Sequence, residues 1–143
     1  MTTLRQSYFT LSPQVLAGFR QAKQALEQSP LGLELIELVY LRVSQINGCS
    51  YCLDMHSKAL RQRDVPQAKL DVLAGWHSNG LFSEKERAAL QWAESLTALP
   101  TSHAADADYT PLLAHFSDQE ISDLTFAISL MNAFNRLGVG MRQ

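Results

Sequence analysis

Cys49 and Cys52 are the only two cysteines of the chain, and His56 follows four residues after the second. On a helix, at about 100° per residue, these three positions fall within an arc of roughly 60°, so local structure alone can gather them on one face. A free thiol, with an ordinary pKa of about 8.5, is mostly protonated at neutral pH. A helix N-terminus and an adjacent histidine both favour the thiolate. In an intracellular chain a C-x-x-C pair is more often redox or metal chemistry than a structural staple, because reducing conditions keep ordinary thiols apart. Thiol chemistry is therefore the first expectation.

Glu37 is the second anomaly. It stands among Ile36, Leu38 and Leu41 in the most apolar stretch of the chain. A carboxylate there must find a partner, and one whose charge is disfavoured by burial is suited to passing protons. Asn47 and Gly48 supply turn chemistry between Glu37 and the cysteines. The turn should fold the next segment back, and geometry allows Glu37 to come alongside the cysteines.

The elements that must position these groups read as helices throughout, with no convincing alternating strand. Ser12–Pro13 looks like an N-cap with proline in the first turn, opening a helix to about Glu27. Ser29–Pro30 repeats the device. The helix that follows, through Leu33, Leu35, Ile36, Leu38, Val39, Tyr40, Leu41 and Val43, is apolar on nearly every face, which marks a central helix. A third helix begins beside Cys49 and runs to about Arg63, and a short one follows from Pro66 to about Trp76. Capping boxes at Ser83/Glu86 and Ser117/Glu120 open helices over Glu84–Leu99 and Asp118–Arg136, with Pro100 stopping the former and Thr101–Thr110 as the longest loop. The expectation is one all-α domain over 1–143, a compact bundle of six to seven helices.

Composition narrows the function. A length of 143 residues suits one core, and a net charge of −2 gives no basic field for nucleic acid or an anionic membrane surface. No segment offers the ~20 apolar residues of a membrane span. The reading is a soluble, cytoplasmic protein. Charged residues are 18% of the chain, below the ~25% of an ordinary domain, which hints at surface hidden in a homo-oligomer.

The run LVYLRVSQINGCSYCLDMHSKALR resembles the core motif of the alkylhydroperoxidase D family, within the wider carboxymuconolactone decarboxylase superfamily. The shared pattern is a glutamate twelve residues before C-x-x-C-x-x-x-H, and Glu37, Cys49, Cys52 and His56 all fall on it. LFSEKERAALQWAESLT and MNAFNRLGVG are similar to later parts of the family's single-domain members. The resemblance implies an all-α fold assembled as a trimer or hexamer. It also implies peroxide reduction, with Cys52 as the attacking thiol, Cys49 resolving its sulfenic acid as a disulfide, and Glu37 and His56 relaying protons. No cofactor is expected, since Gly138 and Gly140 lie too near the C-terminus to open a dinucleotide unit; an external dithiol or protein reductant would restore the thiols. One position departs from the pattern: the namesake enzymes have a further histidine just before the second cysteine, where this chain has Tyr51.

Other readings stay open. The cysteines could be small core residues, and by analogy with other helix-start pairs Cys49 rather than Cys52 would be the accessible thiol. Glu37 could pair with Arg42. Cys49, Cys52 and His56 could bind zinc with Glu37 or His77 as a fourth ligand, although structural zinc sites usually use two separated pairs. The disulfide could serve a redox-sensing or disulfide-reductase oligomer, or the chain could be a cysteine-independent decarboxylase or isomerase. Trp76, His77 and Trp92 read as core or interface residues, His103 and His115 as loop or helix-end residues, and Asn132, Asn135 and Arg136 as salt-bridged or exposed rather than as residues that approach the site or a neighbouring subunit.

Overall fold

Ile36, Leu38, Val39, Tyr40, Leu41 and Val43 are each 3% exposed or less. They lie on one helix, Leu33–Asn47, whose opposite faces feed two hydrophobic clusters. One cluster gathers Val39, Tyr40, Val43, Trp92, Ile128 and Met131; the other gathers Leu38, Leu41, Leu60, Leu73, Trp76 and Leu90. A helix buried on both sides has no polar stripe to offer water, which is why its sequence shows no clean amphipathic pattern.

A computed structural model describes residues 3–143. Its helices are α1 (Tyr8–Leu11), α2 (Pro13–Glu27), α3 (Leu33–Asn47), α4 (Ser50–Gln62), α5 (Gln67–Asp71), α6 (Glu84–Thr97), α7 (Leu99–Ser102), α8 (Asp106–Tyr109) and α9 (Asp118–Met141), with 3₁₀ segments at Leu73–Ser78 and Thr110–Ala114. Every regular element among the described residues is helical. The all-α expectation holds. The central α3 packs against α4, α6 and α9, and α2 lies on α9.

Local signals explain several boundaries. Both capping boxes form: Ser83 and Ser117 accept from the backbone N–H groups of Glu86 and Glu120, whose side chains accept from the serines' own N–H groups. Pro13 sits in the first turn of α2, although the Ser12 side chain makes no cap bond. The device at Ser29 fails. Its hydroxyl donates to Asp123 Oδ2 at 2.6 Å and accepts from Leu31 N–H, so α3 starts at Leu33 behind Gly32. The stretch read as the longest loop contains α8 and the end of α7, with Pro100 in the first turn of α7 rather than at the end of α6. The short helix expected to reach Trp76 is split into α5 and a 3₁₀ segment, and α9 continues five residues beyond Arg136.

Candidate active site

The chain reverses at the end of α3. Gly48 takes a left-handed conformation (φ 68°, ψ 35°) that a residue with a Cβ rarely adopts, and its N–H caps the helix on the Ser44 carbonyl. Cys49 then becomes the N-cap of α4, its Sγ accepting from Cys52 N–H at 3.4 Å. This tight return lays α4 along α3. Residues 19 apart in sequence meet: His56 Nδ1 lies 2.7 Å from Glu37 Oε2. His56 is fully buried and Glu37 is 6% exposed, so the pair is shielded from solvent.

Glu37 has thus found a partner, but it is His56 and not Arg42. Arg42 donates from Nε to Glu94 Oε1 at 3.0 Å, and Trp76 Nε1 donates to the same oxygen at 2.8 Å. His77 stands 3.1 Å from Glu94 Oε2 and stacks on Trp76. Both residues offered as a fourth ligand in the zinc reading thus have other partners, Glu37 in His56 and His77 in Glu94.

Cys49 and Cys52 are joined as a disulfide. Both sulfurs are largely buried, with Cys49 at 1% and Cys52 at 4% exposure. Cys52 lines a cleft of about 360 Å³ walled by α1, α2, α4 and α9, and Cys49 is absent from that wall. Of the two cysteines, Cys52 is the one that lines this cleft. The Cys49 sulfur packs against α9 at Gly138, with the Cys52 sulfur a little farther from the same position.

His56 presents one committed and one free nitrogen. Nδ1 is engaged by Glu37, while Nε2 is buried without a hydrogen-bond partner among the described residues. A carboxylate on one ring nitrogen fixes the ring and leaves the other able to exchange a proton. Tyr40 packs at 5.2 Å between ring centroids. Burial, with Glu37 and Glu27 adding to it, raises the Tyr40 pKa well above the usual phenol range. Its hydroxyl stays neutral at any physiological pH.

A second polar cluster locks the cysteine turn to α9. Asn47 Nδ2 donates to Asn132 Oδ1 at 2.9 Å and to Asn135 Oδ1 at 3.0 Å, and Asn135 Nδ2 donates to Ser44 Oγ at 3.0 Å. Asn135 is buried and Asn132 half-buried, contrary to the exposed roles expected for them. The signal was present in sequence as two asparagines three apart in the mostly apolar second half of the helix. Gly138, one turn after Asn135, was the other missed contributor.

Comparison with known proteins now adds to this geometry. The carboxymuconolactone decarboxylase family model matches residues 13–95. The chain belongs to this family. It is 29% identical over 137 residues to the uncharacterized protein YdfG of Bacillus subtilis, covering 96% of this chain and 93% of YdfG. Among solved structures it is similar to ATU0492 of Agrobacterium tumefaciens, a protein of unknown function described as a candidate antioxidant defence protein AhpD. The TM-score is 0.95 and the identity 34%, with 99% of this chain and 97% of ATU0492 covered. An uncharacterized peroxidase-related protein from Silicibacter sp. TM1040 matches with a TM-score of 0.81 and 26% identity over 94% of this chain and 72% of its own. The fold is accordingly alkylhydroperoxidase D-like.

Tyr51 is half exposed and lines the cleft beside Cys52. No helix among the described residues is long and apolar enough to cross a membrane.

Proposed function

We propose that the protein is a thiol-dependent peroxidase in which Cys52 is the nucleophile. The observation that carries this reading is the placement of Cys52 on the cleft, disulfide-linked to Cys49 and one turn from the buried Glu37–His56 pair. The antioxidant description of ATU0492 and the peroxidase-related description of the Silicibacter protein agree with it.

The chemistry balances over two thiols. His56 Nε2 accepts the Cys52 proton, and the thiolate attacks the terminal oxygen of a hydroperoxide ROOH. The O–O bond breaks and the electron pair leaves on RO⁻, which takes the proton back from His56 as ROH. Cys52 is now a sulfenic acid. The Cys49 thiol attacks that sulfur, releases water and forms the disulfide. An external dithiol, itself oxidised to a disulfide, restores both thiols. Glu37 orients the imidazole and stabilises its transient charge.

In this reading the working protein is a homo-oligomer. The test is peroxide consumption with a small dithiol as reductant. Cys52→Ser should reduce it to the uncatalysed rate, and wild-type turnover by that variant would overturn the assignment.

A further inference from the structure

The cleft over Cys52 is built for more than a bare peroxide. Its ~360 Å³ falls within the range of small-molecule sites, whereas a water-sized molecule takes up roughly 30 Å³. Leu16, Met55, Met131 and Phe134 give it an apolar wall, with Phe9 at the side. The charged groups come from α2, where Arg20, Lys23 and Glu27 all line the cleft, and Tyr8, Tyr51 and Gln143 add polar groups from its other walls. Lys23 is engaged by Glu27 at 3.7 Å, and Arg20 is in no ion pair among the described residues. Arg20, an exposed side chain, is the cleft-lining cation outside these ion pairs. Arg20 is within electrostatic reach of the Tyr8 hydroxyl: burial raises the Tyr8 pKa, Tyr51 adds to the rise, and Arg20 opposes it. Arg20, Tyr8 and Tyr51 thus line the same cleft as Cys52 and the apolar side chains.

Building on the peroxidase reading, we propose that this cleft selects amphipathic organic hydroperoxides bearing a carboxylate. The carboxylate pairs with Arg20, the chain lies on Met55, Leu16 and Phe134, and the hydroperoxide meets Cys52. The guanidinium suits a carboxylate because it can donate two parallel N–H bonds. The reaction is the two-thiol reduction already described, yielding the hydroxy acid, water and the Cys49–Cys52 disulfide.

Two measurements test it. In the first, kcat/KM is compared for a medium-chain hydroperoxide with a terminal carboxylate and for its methyl ester. The acid should be preferred about tenfold, in line with a charge-assisted hydrogen bond. That preference should collapse toward unity in Arg20→Gln and largely return in Arg20→Lys. Equal use of acid and ester by the wild type, or a preference untouched in Arg20→Gln, would overturn the proposal. The second measurement needs no turnover. By titration calorimetry, octanoate should bind the oxidised protein about tenfold more tightly than octanamide, and the difference should vanish in Arg20→Gln. Arg20-dependent octanoate binding without reduction of any hydroperoxide would uphold the ligand class while overturning the peroxidase reading. Indistinguishable binding of the two probes would overturn the ligand class whatever the peroxidase result.

Discussion

Gly138 lies directly against the sulfur of Cys49: a Cβ added there would stand 2.8 Å from Cys49 Sγ and 3.7 Å from Cys52 Sγ. Replacing glycine inside a helix normally stabilises by up to ~1 kcal/mol, because the unfolded chain loses freedom. Here the added methyl overlaps a cross-linked sulfur held at the N-cap of α4. Gly138→Ala should destabilise the oxidised protein by about 1–3 kcal/mol, the usual scale of overpacking. Gly140 has no neighbour within 4 Å of the same construction, so Gly140→Ala should be neutral or slightly stabilising. Denaturant titration of the two variants measures the contrast, and equal effects would mean that Gly138 is not a packing constraint on the cysteine pair.

The Glu37–His56 contact can be probed without emptying the core. Glu37→Gln keeps the shape and a hydrogen-bonding group but removes the charge that steadies the imidazole when it holds the proton. Peroxide reduction should fall roughly 10- to 100-fold, within the span attributed to general acid–base groups. The overall fold should survive. Deleting the other partner with His56→Ala leaves a buried carboxylate alone and should cost stability more heavily, on the order of 3–5 kcal/mol. Rapid-reaction kinetics and thermal unfolding separate these effects. A Glu37→Gln protein with the wild-type rate would give the pair a purely structural role.

Much of this site was legible in sequence because its signals are local. Cys49, Cys52 and His56 share a helix face by spacing alone, and Glu37 stood out as a carboxylate set among Ile36, Leu38 and Leu41 on the most apolar helix. The same holds for the capping boxes at Ser83 and Ser117, which need only residues three apart. What could not be read depends on distant partners. The Ser29 hydroxyl looked free to cap a helix but is taken by Asp123, 94 residues later. Arg42 was a reasonable partner for Glu37, one turn and a residue away, yet Glu94 on α6 claims it. Asn135 reads as a surface residue until α9 is laid against the end of α3, where Ser44 and Asn47 meet it. Gly138 carried no message at all without the fold, since its role is to have no side chain where a sulfur sits.

The second capping box gives a stability signature in acid. The backbone hydrogen bond from Ser117 holds the Glu120 carboxyl below the usual carboxylate range against the opposing effect of burial, with the Ser117 side chain and Lys85 helping. A folded-state pKa below the unfolded value means that this contribution is present above the unfolded pKa of about 4.3 and is lost as pH falls through the folded value. The stability gap between wild type and Glu120→Gln should therefore be open at pH 7 and close toward pH 3. Ser117→Ala should cost about 1 kcal/mol at neutral pH through loss of the cap itself. Urea unfolding at several pH values measures both, and a gap independent of pH would remove Glu120 from the acid response.

The most direct measurement begins with reduced Cys49→Ser protein, where Cys52 has no resolving partner. One equivalent of hydroperoxide is added with a 1,3-diketone that traps sulfenic acids, and the product is mapped by peptide mass spectrometry. The adduct should appear on Cys52 within the lifetime of catalytic turnover, while the reciprocal Cys52→Ser protein, treated identically, should carry none on Cys49. An adduct confined to Cys49, or thiols that remain unmodified in both variants, would contradict Cys52 as the peroxide-reactive residue.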